Sequence, residues 1–290
     1  MKMMKDTAMI RPGGSAFDKP LDELLLNLKK NVFRMAEAAG GGYVSQGLCA
    51  AEMVAALFYR VLRLDPNHPE WPDRDRFLLS VGHYAIGVYA AMAELGFFPP
   101  EKLDTYSMDG SELEMIGSEI TPGVEITGGS LGQGLSQGIG LALGAKLRNQ
   151  PWRVYVLMSD GELEEGQTWE AAMVAKHHKL DQLTVIVDVN DMQADGRIGD
   201  VTGILPIAEK WQAFGWNVIE MNGNDIDSVL KALQNSAVVK DLPTVIIANT
   251  IMGNGVSFLA DRTDVHYVKW SHEQTQLAIA DLEAREVRHS

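Results

Sequence analysis

The amino-acid sequence predicts an α/β fold: a doubly wound, mostly parallel β-sheet with helices on both faces. Three short runs, residues 154–158, 183–188 and 244–248, are predominantly apolar and rich in β-branched residues, the pattern of strands buried on both faces. A helix-forming stretch, residues 168–178, separates the first two, as in parallel strands joined by a helical crossover. No internal repeat, low-complexity tract or linker divides the chain. Residues 1–15 read as a flexible tail and residues 16–290 as a single domain.

The other elements follow in order. Pro20 opens a helix in which Leu24, Leu25, Leu28, Val32 and Met35 recur at helical spacing, and Gly40-Gly41-Gly42 stops it. A second helix is expected over residues 50–62, with Met53, Val54, Leu57, Phe58 and Val61 on its apolar side. Residues 65–76 form a polar, proline-containing connection. Residues 77–81 read as a short buried strand running into Gly82-His83, and residues 84–95 as a helix. Residues 97–127 have no clear period. Residues 132–147 suit a helix of small residues, and residues 216–220 offer one further strand.

Composition bounds the function. The chain has 290 residues, 46% hydrophobic and 22% charged, enough to bury a core without staples. Its one cysteine, Cys49, rules out an internal disulfide framework and agrees with a reducing compartment. The first fifteen residues carry Lys2, Lys5, Asp6 and Arg11 and no apolar core of signal-peptide length, and no run is long and apolar enough for a membrane span. A cytoplasmic location is expected. The formal charge of −14 argues against nucleic-acid binding, which needs clustered Lys and Arg. It leaves room for anionic ligands held by backbone N–H groups or a bound cation.

The chemistry concentrates after residues 154–158, at Ser159-Asp160-Gly161. An acidic residue at the carboxyl end of a parallel strand sits where such sheets bind ligands. The next strand ends in Val187-Asp188-Val189-Asn190-Asp191-Met192, which would bring Asn190 beside Asp160. A carboxylate, an amide oxygen and a backbone carbonyl form a hard oxygen site suited to Mg²⁺ or Ca²⁺, with positions left for ligand phosphates. The competing reading is a turn and a cap.

The same segments resemble the transketolase family. Gly128-Gly129-Ser130-Leu131-Gly132-Gln133-Gly134-Leu135-Ser136 is similar to the family's loop beside the thiazolium ring. The stretch from Asp160 through Glu165 to Glu170 is similar to its cofactor motif, and Asn190-Asp191-Met192-Gln193-Ala194-Asp195-Gly196 to the end of that motif. Asp75-Arg76-Phe77-Leu78-Leu79-Ser80-Val81-Gly82-His83 resembles a fourth landmark, and all four stand in family order. The resemblance, running from Asn31 to Asp281, implies the diphosphate-binding type of thiamine diphosphate fold. It implies thiamine diphosphate held through Mg²⁺ (or Ca²⁺) by Asp160, the Asn190 side chain and the Met192 carbonyl. Gly161 and His83 would contact the diphosphate, with Gly129 in the neighbouring loop, and the Leu131 carbonyl would meet the aminopyrimidine. Glu165 matches an acid of a carboxylate relay at the subunit interface, which Glu170 would join; a charged helix start is the competing reading for both. For His83 it is a structural histidine.

Full-length members continue into a pyrimidine-binding domain that carries the activating glutamate. The resemblance therefore implies a split enzyme: this subunit, a second subunit with the pyrimidine half, and an α₂β₂ assembly. The reaction implied is transfer of a two-carbon ketol unit from a ketose or ketose phosphate to an aldehyde. The substrate-facing positions depart from the family. Gly41-Gly42-Tyr43 stands where Ser-Gly-His is expected, and Gly117-Ser118-Glu119 where Gly-His-Pro is. His266 is retained but followed by Tyr267. Tyr43 and His266 are thus expected to face a non-standard substrate, such as apulose phosphate. His177, His178 and His272 are expected at the surface or in structural roles. Two alternatives stand beside this reading: a non-catalytic or regulatory cofactor-binding scaffold, and a subunit of another thiamine-dependent carboligase. A dinucleotide reading of residues 128–134 fails for want of a preceding strand and a distal acid.

Overall fold

The computed structural model describes the backbone of residues 19–289 and the side chains of residues 19–284; the expected tail, residues 1–15, lies outside the described residues. Five strands form one sheet: β1 (Arg76–Leu79), β2 (Val154–Ser159), β3 (Leu183–Val189), β4 (Asn217–Asn222) and β5 (Thr244–Asn249). Their order is β1-β2-β3-β5-β4, and every neighbouring pair is parallel.

The α-helices of six or more residues are α1 (Leu21–Ala39), α2 (Val44–Cys49), α3 (Ala51–Ala56), α4 (Ala85–Leu95), α5 (Gln133–Leu147), α6 (Gly166–His177), α7 (Ile207–Ala213), α8 (Ile226–Ala237) and α9 (His272–His289). They cover both faces of the sheet, which explains the uninterrupted apolar runs. Along β2, Tyr155 and Leu157 join one core while Val154, Val156 and Met158 join the other. Along β5 the same alternation sends Ile246 and Ala248 one way, Val245 and Ile247 the other. The first core takes the apolar sides of α1 to α4 and α8; the second takes those of α5, α6 and α7. Burying each large side chain of this kind contributes about 1.5–3 kcal/mol.

Several bounds differ from the sequence-based expectation. The helix expected over residues 50–62 begins earlier, as α2, and passes through α3 into a π-helical turn, Leu57–Val61. Ser45, Gln46 and Gly47 hide its start because they break the apolar period, yet all three are buried. Strand β1 stops at Leu79, since Gly82–Tyr84 turns at once into a 3-10 helix. Helices α7, α8 and α9 are absent from the expectation. Of these, α8 had a legible start: the Asp225 side chain accepts from the N–H groups of Asp227 and Ser228, an N-cap of the usual kind.

Two features bear directly on the site. The parallel register pairs Ser159 with Asp188, so β2 and β3 end level with each other. One residue on, the Asp160 N–H donates to the Asp188 carbonyl at 2.9 Å. Gly41–Gly42 also pairs antiparallel with Val268–Lys269, which carries the segment around His266 to the same end of the sheet.

Candidate active site and cofactor cleft

A cleft of about 170 Å³ opens at the carboxyl ends of the strands. His83, Leu131, Gly161, Met192 and His266 line it, together with Gln46, Tyr84 and Ser159. Five residues singled out from sequence thus share one cavity.

Asp160 and Asn190 are buried beside this lining, next in sequence to Gly161 and two residues before Met192 respectively. Asp160 has no exposed surface, and its carboxylate accepts three backbone N–H groups: Gly161 at 2.8 Å, Asn190 at 3.1 Å and Asp191 at 2.8 Å. The Asn190 side chain is fixed from both ends. Its Oδ1 accepts from the Met192 N–H at 2.9 Å, while its Nδ2 donates to Asp188 Oδ2 at 2.7 Å and to the Tyr84 hydroxyl at 2.9 Å. Oδ1 is therefore the Asn190 atom with acceptor capacity to spare.

Asp188 anchors this arrangement from inside the sheet. Its Oδ2 accepts from the Tyr84 hydroxyl at 2.6 Å and from Cys49 Sγ at 3.0 Å, and its Oδ1 takes a short hydrogen bond from the Thr250 hydroxyl. Burial raises the Asp188 carboxyl above its usual range, against the pull of those hydrogen bonds. Asp160 is pushed up to about 7, first by burial and then by repulsion from Asp188; its three N–H partners oppose the shift. Neither carboxylate is paired with a lysine or arginine among the described residues. A buried carboxylate without a counter-ion is poorly compensated, and a divalent cation would supply the missing charge.

The described residues contain no cluster of three or more His, Cys, Asp or Glu that could hold a metal unaided. The donors that fit are those the sequence suggested, a carboxylate, an amide oxygen and a backbone carbonyl, completed by ligand oxygens as Mg²⁺ prefers.

An aromatic group adjoins the cleft through His83 and His266. The Tyr43 ring packs edge-on against His83 at 4.9 Å, His266 at 5.6 Å and Tyr267 at 5.5 Å between centroids. His83 and His266 lie 5.9 Å apart. Both imidazoles are held below their usual pKa by burial, and His83 also by the nearness of His266. Gln46 pins the far histidine by donating from Nε2 to the His266 carbonyl at 2.7 Å.

The remaining candidates lie at the margin. Gly129, Glu165 and Glu170 are exposed and do not line the cleft. Glu165 nonetheless abuts the glycine loop: a Cβ added at Gly132 would fall 2.7 Å from Glu165 Cβ. Gly132 takes φ 77°, so that turn is closed to side chains on two counts. Ser118 is buried, with its hydroxyl lacking a partner among the described residues. His177, His178 and His272 are exposed, in line with the surface placement expected for them. Sequence reasoning missed Gln46, Tyr84 and Thr250, which carry no motif of their own. It also assigned no role to Asp188, whose acid at a strand end was a readable signal.

Residues 28–282 match the family described as "Transketolase, thiamine diphosphate binding domain". The chain belongs to the transketolase family. Within that family it is 40% identical over 245 residues to the 6-deoxy-6-sulfo-D-fructose transketolase subunit SqwG of Clostridium sp., covering 84% of this chain and 89% of that one. It is also 40% identical over 257 residues to an apulose-4-phosphate transketolase subunit of Actinobacillus succinogenes, covering 88% and 92%. Among solved structures, transketolase from Leishmania mexicana superposes with a TM-score of 0.84 at 29% identity, over 91% of this chain and 41% of that one. This transketolase-family chain thus matches the subunit-sized relatives nearly end to end and spans about two-fifths of the long one. Thiamine diphosphate is the cofactor of its family domain. Among the described residues no helix is long and apolar enough to cross a membrane.

Proposed function

We propose that this chain is the diphosphate-binding subunit of a split transketolase, transferring a two-carbon ketol unit from a ketose or ketose phosphate to an aldehyde. The supporting observation is that His83, Leu131, Gly161 and Met192 line one cleft at the ends of adjacent parallel strands, with Asp160 and Asn190 buried and hydrogen-bonded beside it. Asp160, Asn190 Oδ1 and the Met192 carbonyl would hold Mg²⁺ (or Ca²⁺), whose charge would help to bind the diphosphate. Gly161 and His83 contact the diphosphate and Gly129 flanks it; the Leu131 carbonyl addresses the aminopyrimidine. When bound, the cofactor supplies a nucleophilic carbon and an electron sink for C–C cleavage.

This chain's own residues bind, orient and shield. His83 and His266 are both kept neutral by burial; His83 serves the diphosphate, and His266, whose Nδ1 accepts from Gln46 Nε2 at 3.2 Å, offers the donor substrate its Nε2–H. Tyr43 adds a phenol that burial, and next the nearby Tyr267, move further from the neutral range, so it donates hydrogen bonds rather than shuttling protons. The exposed Glu165, with Glu170, joins the carboxylate relay at the face where a partner polypeptide closes the site.

The partner is a polypeptide carrying the pyrimidine-binding domain, in an α₂β₂ cytoplasmic assembly, with residues 16–290 here serving as one diphosphate-binding domain. The two relatives named for modified sugars, a sulfo-sugar and an apulose phosphate, support a non-standard anionic ketose as donor. Mixing the chain with the product of a neighbouring partner gene tests the reading. Ketol transfer should appear only in the mixture; cofactor binding with no transfer to any aldehyde would favour a scaffold instead.

A further inference from the structure

The proposed chemistry leaves one buried carboxylate of the site unused. Glu162 has no exposed surface, and its Oε1 accepts from the Gly132 N–H at 2.7 Å. The same oxygen takes a short hydrogen bond from the Ser80 hydroxyl, which in turn accepts from the Gly134 N–H at 3.0 Å. Oε2 is buried and has no partner among the described residues. Burial is also the main reason this carboxyl is pushed up to about 7. Helix α5 begins at Gln133, so Glu162 and Ser80 together hold N–H groups of its opening turn.

The Gly132 N–H belongs to the same rigid peptide plane as the Leu131 carbonyl. In a trans peptide the two groups point to opposite sides of that plane. A carboxylate gripping the N–H therefore fixes the carbonyl to face away from Glu162, and Leu131 lines the cleft.

We infer that Glu162 is a positioning residue: through the Gly132 N–H it sets the Leu131 carbonyl toward the ring end of the cofactor, and takes no part in holding the metal or diphosphate. The inference rests on the cofactor reading proposed above. It requires an acceptor atom at the reach of Oε1, whereas side-chain charge is dispensable.

The test uses the chain in complex with its pyrimidine-domain partner and two probes, thiamine diphosphate and inorganic pyrophosphate, each titrated with Mg²⁺ present. Glu162→Ala should weaken thiamine diphosphate by about tenfold to a hundredfold, the worth of one hydrogen bond to a charged group. Pyrophosphate affinity should stay within about twofold, because the metal end is untouched. Glu162→Gln, which keeps the acceptor, should restore thiamine diphosphate affinity. Glu162→Asp, which keeps the charge but falls short, should not. The last two variants carry the test if the alanine variant does not fold.

Equal loss of both probes, unchanged thiamine diphosphate affinity in Glu162→Ala, or rescue by Asp and not by Gln would each overturn the inference. Failure of the unaltered complex to bind either probe would instead remove the cofactor reading itself, and this inference with it.

Discussion

Asp188 holds Asn190 in place: Asp188 Oδ2 accepts from Asn190 Nδ2 at 2.7 Å, which leaves Asn190 Oδ1 to accept from the Met192 N–H at 2.9 Å. The two residues lie on the same strand end and share Tyr84 as a third partner, its hydroxyl donating to Asp188 and accepting from Asn190. Without Asp188 the amide could flip and present nitrogen where the proposed metal needs oxygen.

Replacing Asp188 tests that dependence. Asp188→Ala should lower Mg²⁺ affinity by about tenfold to a hundredfold, as loss of an outer partner of a ligand does. It also leaves the Tyr84 O–H without its acceptor, at a cost on the order of 1–3 kcal/mol in stability. Metal titration and thermal unfolding of the variant check both effects. Unchanged metal affinity would show that Asn190 does not depend on Asp188.

The site's carboxylates give a pH signature. Asp160 and Glu162 are pushed up to about 7, chiefly by burial, so the metal-free folded state holds protons that the unfolded chain has released. Stability of the metal-free chain should therefore fall as pH rises from about 4 toward about 7. The lowered His83 and His266 act in the opposite sense below their ordinary pKa, making the slope shallower there. Mg²⁺ needs the ionised carboxylate, so its stabilising effect should grow with pH and level off above about 7. Melting curves with and without Mg²⁺ across this range read both trends. A Mg²⁺ effect greatest at the acidic end would contradict the assignment.

Tyr43 sits against His83, His266 and Tyr267. Tyr43→His should shift the ratio of kcat/KM between two ketose donors by about tenfold or more, a change of about 1.4 kcal/mol in relative transition-state binding. Thiamine diphosphate affinity should change by less than about twofold. Donor-independent loss of activity would argue that the tyrosine is structural.

Gly132 admits no side chain. Gly132→Ala forces an L-residue to φ 77° and drives its Cβ into that of Glu165. The backbone conformation alone costs about 1–2 kcal/mol. The melting temperature should fall by several degrees and cofactor affinity with it; an unaltered melting temperature would show that the loop relaxes freely.

Much of the fold was legible because the sheet is buried on both faces. The runs at 154–158, 183–188 and 244–248 needed no periodicity to be read as strands, and the parallel direction of the first two followed from the helix between them. Helix α2 was hidden because Ser45, Gln46 and Gly47 are buried for local reasons that no apolar pattern records. In the site, Asp160 and Asn190 could be paired from sequence because consecutive parallel strands place their ends side by side. Gln46, Tyr84 and Thr250 could not, since each reaches the site from a different segment and only the folded chain brings them together. Glu162 was visible inside a recognisable motif, yet its partner, the Gly132 N–H, is thirty positions away and belongs to the backbone.

The proposed site stands or falls on one carboxylate and one carboxamide gripping a single cation that carries the cofactor. Calorimetric titration of the two-subunit complex with thiamine diphosphate, with and without Mg²⁺, probes that grip when repeated on Asp160→Ala and Asn190→Ala. The unaltered complex should bind only with Mg²⁺ present. Each variant should lose more than about a hundredfold in affinity, since even outer-shell partners of metal ligands are worth tenfold to a hundredfold. Metal-independent binding, or full affinity in either variant, would rule the shared cation out.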